Sequence, residues 1–353
     1  MDEQFKELRN KIDSININIL KLLNDRAELV KKISTIKDEI NMDYFDPIRE
    51  QEMLAAILEE NRGLLPNEIV KEVFTVIFRS NLKYMGVERE KKLIISREEN
   101  NKFYSIEQIF GSNTRKPLII AGPCAVENEV YMEKVASFLT QNNVKILRGG
   151  AYKPRTSPYD FQGLGEDGLV ILSEIGKKYN LITVTEVVDC RDLDTVLKYV
   201  DVIQIGARNM QNYELLKEIG KLSTPVILKR GMSATIQEFL FASEYIALQG
   251  NRNIILCERG IRTFETKTRN TLDISSIPIV KKETNLPIIV DLSHSLGRKD
   301  IVNPIAKAAV AAGADGIMVE VHSQPELALS DSKQQLNFKE FEELLYFLDS
   351  SAK

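Results

Sequence analysis

The chain has 353 residues, is 43% hydrophobic and 28% charged, and carries a net charge of −4. That is enough apolar content for more than one packed core, with no basic excess of the kind that binds nucleic acid or an anionic membrane surface. Three cysteines (Cys124, Cys190 and Cys257) are too few and odd in number for a disulfide framework, which points to a reducing cytoplasm, and no apolar run approaches a membrane span.

Residues 1–90 read as helix throughout. Leu8, Ile12, Ile15, Ile19, Leu22, Leu23, Leu29, Val30 and Ile33 recur at three- and four-residue steps, in a run from Gln4 to Ile40. A helix so long is usually covered by a partner helix or another subunit. Pro47 opens a second helix to Glu60, and Pro66 with Asn67 opens a third to about Met85. Three helices of such unequal length enclose little core alone, so dimerisation is the expected remedy. Residues 91–115 are polar around one apolar run, Leu93-Ile94-Ile95, and read as a linker carrying a short extra strand.

From residue 116 to 353 the pattern changes. Continuous apolar runs alternate with amphipathic segments: PLIIAGPC (117–124), VKILRGGAY (144–152), LITVTEV (181–187), DVIQIGA (201–207), PVILKRG (225–231), NIILCERG (253–260), LPIIVDLSH (286–294) and ADGIMVEVH (314–322). Uninterrupted apolar strands mark a parallel sheet covered on both faces. Eight βα units predict a (β/α)8 barrel, with an open doubly wound sheet as the rival.

In a barrel the active site lies at the C-terminal strand ends. There the sequence places Cys124 after strand 1, Arg148 after strand 2 with Lys153, Arg155, Thr156 and Ser157 in its loop, Glu186, Arg208, Lys229 with Arg230, Glu258 with Arg259, Asp291 with His294, and Glu320 with His322; Asp331 follows. Gathered cations repel one another, and an anionic ligand offsets that repulsion. Arginine forks suit phosphate or carboxylate, and lysine supplies a point charge. Cys124, His294, Glu320 and Asp331 combine thiolate, imidazole and two carboxylates, a mixed set for a borderline divalent ion: Mn²⁺, Fe²⁺, Co²⁺ and Zn²⁺ could all be held. Cys190 and Cys257 read as small packing residues. His322, two residues beyond Glu320, reads either as support for the site or as surface.

At these residues the sequence resembles a known family. GPCAVE (122–127), LRGGAYKPRTSPYDFQGLG (147–165), QIGARNMQN (204–212), LKRGMSAT (228–235), ILCERGIRT (255–263), HSLGRKD (294–300) and MVEVH (318–322) are similar to 3-deoxy-D-arabino-heptulosonate 7-phosphate (DAHP) synthase, type I beta, with an N-terminal chorismate mutase-like domain. The resemblance implies condensation of phosphoenolpyruvate with erythrose 4-phosphate, the first step of the shikimate pathway. It implies that Arg148 and Lys153 hold the phosphoenolpyruvate carboxylate and that Arg208, Lys229 and Arg259 hold its phosphate. Arg155 and Thr156 would hold the erythrose 4-phosphate phosphate, the four mixed ligands a metal, and Glu186 and Asp291 would support the site or handle protons. The 3-deoxy-D-manno-octulosonate 8-phosphate synthases are the near rival, and they carry Asn where Arg155 stands.

In the helical domain the resemblance implies a chorismate or prephenate site from Arg9, Arg26, Lys37, Asp46, Arg49 and Glu50. Its pericyclic reaction needs only a held dicarboxylate and donors to the breaking ether oxygen. The family places Gln or Glu late in the third helix as one such donor; here Met85 stands there, with Asn81 one turn earlier. A thioether donates no hydrogen bond. The expectation is a weak mutase that still binds its ligand, or a non-catalytic sensing and dimerisation module that inhibits the barrel. Helix-domain dimers joined by barrel contacts would give a homotetramer.

Overall fold

The computed structural model describes residues 2–40, 47–84, 93–97, 103–111, 116–155 and 157–350. The chain divides into two units, Met1–Lys92 and Leu93–Lys353.

The first unit is helical, as the periodicity predicts: α1 is Asp2–Glu39, α2 Pro47–Glu60 and α3 Asn67–Tyr84. Asn61 stops α2 and shapes the turn to α3, donating through Nδ2 to Leu65 O at 2.9 Å and Asn67 Oδ1 at 2.8 Å. The unit has little interior. Among its described residues only Val70 and Phe78 are buried apolar side chains, and the α1 residues Leu8, Ile12, Ile15 and Ile19 are 49–57% exposed. Arg26 of α1 lies 5.0 Å from the ring centroid of Phe78 on α3.

In the second unit eight parallel strands close into a barrel in chain order: β1 Leu118–Gly122, β2 Ile146–Arg148, β3 Ile182–Val187, β4 Val202–Ile205, β5 Val226–Lys229, β6 Ile254–Glu258, β7 Ile288–Asp291 and β8 Gly316–Glu320. Closure is direct, with Leu118 to Gly122 of β1 facing Gly316 to Glu320 of β8. Strand side chains alternate, so neighbouring positions join different cores. Leu118, Ile120, Ile146, Val184, Val202, Ile227, Ile255, Ile289 and Met318 fill the interior. Ile119, Ala121, Leu147, Ile203, Leu228 and Ile317 face the outer helices. Both faces are apolar, which is why the strands read as unbroken runs. The helix after β1 starts at Glu129, because Asn128 caps it by accepting from Tyr131 N at 2.9 Å.

The predicted linker strand is corrected. Leu93–Ile95 forms no strand. It turns, with Ile94 N and Ile95 N donating to the Glu244 carboxylate at 2.9 and 3.3 Å, and only Ser96 makes an isolated antiparallel bridge, to Thr284. Farther on, Ile106–Phe110 forms the short helix α4, closed at its start by a capping box between Ser105 and Gln108. Ile106 and Phe110 join the interior cluster with Leu118, Ile146 and Val202 at the strand starts. The stretch read as a linker is thus partly the floor of the barrel: the strand starts present apolar side chains that need cover at the end opposite the mouth.

Candidate active site

The mouth holds a cavity of about 310 Å³ whose lining includes Lys153, Arg155, Glu186, Arg208, Lys229, Arg259, His294 and Asp331. Below it lie Cys124, Arg148, Asp291 and Glu320, each under 5% exposed. The strand-end residues expected from sequence therefore converge at one end of one barrel. Thr156, Asp46 and Met85 lie outside the described residues.

The metal-type donors cluster. Ligand atoms of Cys124, Glu320 and Asp331 are all within 4.8 Å of one another. His294 stands beside them, its Nε2 3.5 Å from Glu320 Oε1 and 3.6 Å from Asp331 Oδ2; Cys124 Sγ is 3.5 Å from Asp331 Oδ2. Donors about 2.1 Å from a common ion in a tetrahedron sit roughly 3.4 Å apart, so these residues fit a small divalent cation. The chemistry fits as well. Burial, then the Glu320 charge, pushes the Cys124 thiol up to about 12, a cost that a bound cation reverses. Burial lowers the His294 pKa despite Asp291 and Glu320, which eases loss of the proton that ligation requires.

Burial alone would raise the Glu320 carboxyl, but His294, Arg148 and Lys153 outweigh it and hold it well below the usual carboxylate range. Arg148 Nη1 meets Glu320 Oε1 at 2.8 Å, and Nη2 reaches Cys124 O at 3.4 Å. Asp291 orients the histidine: its Oδ1 accepts from His294 N at 3.0 Å, and its Oδ2 lies 2.8 Å from Nδ1, a close ionic contact whose angle falls short of a hydrogen bond. Asp291 Oδ2 also pairs with Lys229 Nζ.

The cations come from the strand ends and one constrained loop. Lys153 Nζ donates to Cys124 O at 3.1 Å. Burial would lower Lys153, but Cys124, Glu186 and Glu320 raise it, so it holds its proton. Gly163, at φ +96, lets the loop return against Ala151, whose carbonyl oxygen a Cβ would approach to 2.0 Å; Gln162 O then accepts from Lys153 N at 2.8 Å. Arg155 donates through Nε to Phe161 O at 3.0 Å and through Nη2 to Ser330 Oγ. Glu186 sits over Gly206, where any Cβ would come within 1.9 Å of its Oε1. Arg259 is buried, and that burial lowers its pKa despite Asp291 nearby, so an anion beside it would restore the balance.

Some strand-end residues do other work. Arg230 bonds Glu258 and Asp273, both at 2.9 Å, in a buried structural pair. His322 is fully buried, accepts from Gln324 N at 3.0 Å, and packs its edge on Tyr131 with centroids 4.8 Å apart. The residues missed from sequence are Arg262 and Arg269, which line the cavity after β6, Ser330 and Gln334, which bond ligand side chains, and Gln335, which accepts from the Cys124 backbone N. The arginines carried a signal, in the basic run after strand 6; the neutral side chains carried none.

In the helical unit, Arg26 Nη1 is buried without a hydrogen-bond partner among the described residues, and burial lowers the Arg26 pKa. Arg9 lies 4.4 Å from the Phe5 ring centroid, Arg49 pairs with Glu52 at 3.2 Å, and Asn81 donates to Ile77 O at 2.8 Å. Lys37 and Glu50 are partly buried.

Comparison with known proteins finds two family matches along the chain. The profile of the DAHP synthetase I family matches residues 92–353, and that of chorismate mutase type II matches residues 8–86. Phospho-2-dehydro-3-deoxyheptonate aldolase of Thermotoga maritima is 60% identical over 227 residues, 64% of this chain and 67% of that one. A crystal structure of a Thermotoga maritima protein of the same name aligns with a TM-score of 0.70 at 53% identity, covering 74% of this chain and 77% of that chain. More distant is 2-dehydro-3-deoxyphosphooctonate aldolase of Syntrophobacter fumaroxidans, 29% identical over 261 residues, 69% of this chain and 89% of that one.

Proposed function

The chain belongs to the DAHP synthetase I family, and from that premise we propose that its barrel condenses phosphoenolpyruvate with erythrose 4-phosphate to give DAHP and inorganic phosphate. The observation that carries the reading is the Cys124, Glu320 and Asp331 cluster, with His294 beside it, under a mouth lined by Lys153, Arg155, Arg208, Lys229 and Arg259. Two anionic substrates meet that charge. Arg148 and Lys153 hold the phosphoenolpyruvate carboxylate; Arg208, Lys229 and the under-compensated Arg259 hold its phosphate. Arg155 and Thr156 hold the phosphate of the aldose. Clamping both substrates converts a two-body reaction into a positioned one, worth roughly 7–11 kcal/mol of barrier.

C3 of phosphoenolpyruvate attacks the aldehyde carbon, and Lys153, which keeps its proton, donates to the developing alkoxide. Water adds at C2, and the C2–O bond to phosphate breaks. Cys124, His294, Glu320 and Asp331 would hold a divalent ion, Mn²⁺ by preference, which would supply Lewis acidity when bound. Asp291 keeps His294 in place, and Glu186 is positioned to handle a proton. Phosphate release is the test. It is expected with erythrose 4-phosphate, abolished by a chelator, and absent with arabinose 5-phosphate; equal turnover of the two sugars would overturn the assignment.

For the helical unit the supporting observation is the Arg26 guanidinium, whose buried Nη1 has no hydrogen-bond partner among the described residues and suits an anion. Chorismate or prephenate is the proposed occupant, acting as a weakly turned-over substrate and as a feedback signal. A homotetramer is the proposed assembly, and three free thiols suit the cytoplasm. Among the described residues no helix is long and apolar enough to cross a membrane.

A further inference from the structure

We propose that Gln334 is a positioning residue for the metal-ligand set, a role that rests on the reading of Cys124, His294, Glu320 and Asp331 given above. Gln334 is 4% exposed and lies in the segment that follows the ligand Asp331. Its Nε2 donates to Glu320 Oε2 at 2.7 Å and to Asp331 Oδ2 at 3.3 Å, so the two protons of one amide hold both carboxylates. Its Oε1 accepts from Arg269 Nη1 at 2.8 Å. That contact fixes which way the amide faces. Flipped, the oxygen would meet two carboxylates and the NH₂ would meet a guanidinium.

The neighbouring side chains brace the same site. Gln335 is fully buried; its Oε1 accepts from Cys124 N at 3.1 Å and its Nε2 donates to Ser330 O at 2.7 Å. Ser330 Oγ lies 2.9 Å from Cys124 Sγ. Asp331 itself adopts φ +51, a left-handed conformation that persists where surrounding bonds over-determine it. An amide suits the task better than a cation. It holds two like-charged carboxylates together by hydrogen bonds and adds no charge to those that Arg148 and Arg269 already bring to them.

The test is Co²⁺ titration of the full chain, read by the ligand-field and thiolate charge-transfer absorption of the bound ion. Gln334→Met, which keeps the volume and removes both donors, is expected to raise the Co²⁺ Kd about tenfold or more and to change the ligand-field bands. Lys333→Ala, at an exposed position of the same segment, is expected to bind as wild type does. Should Gln334→Met not fold, Gln334→Asn keeps the amide but shortens its reach, and the same loss is expected. A Kd within about two-fold of wild type for the Gln334 variant, or an equal loss in Lys333→Ala, overturns the proposal. A wild-type chain that gives no Co²⁺ spectrum sinks the metal-site reading itself, and the Gln334 role with it.

Discussion

Arg148→Met isolates one buried charge pair of the site. Arg148 and Glu320 meet at 2.8 Å with side chains 4% and 0% exposed. Removing one partner leaves a buried carboxylate uncompensated, which costs about 3–5 kcal/mol. At about 2–4 °C per kcal/mol for a domain of this size, the barrel should melt roughly 6–20 °C lower in chelator. Two dependencies distinguish this from a packing defect. A divalent cation on Glu320 supplies the missing positive charge, so the deficit should shrink when Mn²⁺ is present. It should also shrink in acid. The folded pKa of Glu320 is depressed, so its contribution is present above the ordinary carboxylate value and lost as pH falls through the folded one. Without Arg148 that folded pKa rises, and a protonated Glu320 needs no counter-charge. Thermal scans of wild type and variant, with chelator and with Mn²⁺, at neutral and mildly acidic pH, measure all of this. A deficit below about 1 kcal/mol in chelator, or one equally large with Mn²⁺, refutes the reasoning.

Four further outcomes are expected. Because the Cys124 thiol is pushed up to about 12, metal binding must displace its proton, so apparent Co²⁺ affinity should rise about tenfold per pH unit between roughly pH 6 and 8; a flat profile removes the thiolate from the ligand set. Gly163→Ala forces a Cβ to within 2.0 Å of Ala151 O and should shift the loop carrying Lys153 and Arg155, lowering kcat/KM about 10²-fold or more, measured by phosphate release. Removing residues 1–92 should leave synthase activity but abolish inhibition by chorismate or prephenate; within the retained helical unit, Met85→Gln should raise mutase turnover about 10²–10³-fold, and no gain would mean that the ether oxygen is met elsewhere.

The barrel was legible because its physics repeats: eight doubly covered strands each leave an apolar run, and each run ends in ionic residues where the interior stops. Arg148, Asp291 and Glu320 could be placed at the mouth for that reason. What stayed hidden depends on contacts across the chain. Gln334 and Gln335 are neutral amides in a polar loop, and nothing local distinguishes an amide that bonds two carboxylates from one that bonds water. Arg269 shares Gln334 and Asp331 from 60 or more residues away. Arg230 stands beside Lys229 at the end of strand 5, yet Glu258 and Asp273 claim it. Helix α4 is five residues long, too short for a period to show.

That short helix fixes where the two halves can be parted. Since Ile106 and Phe110 complete the lower core with Leu118 and Ile146, a cut after Phe110 would uncork the barrel and wet its inner layer. A cut at Lys92 leaves the plug attached. The seam open to recombination, excision or grafting of a different sensor therefore lies ahead of Leu93, and everything behind it travels as one piece.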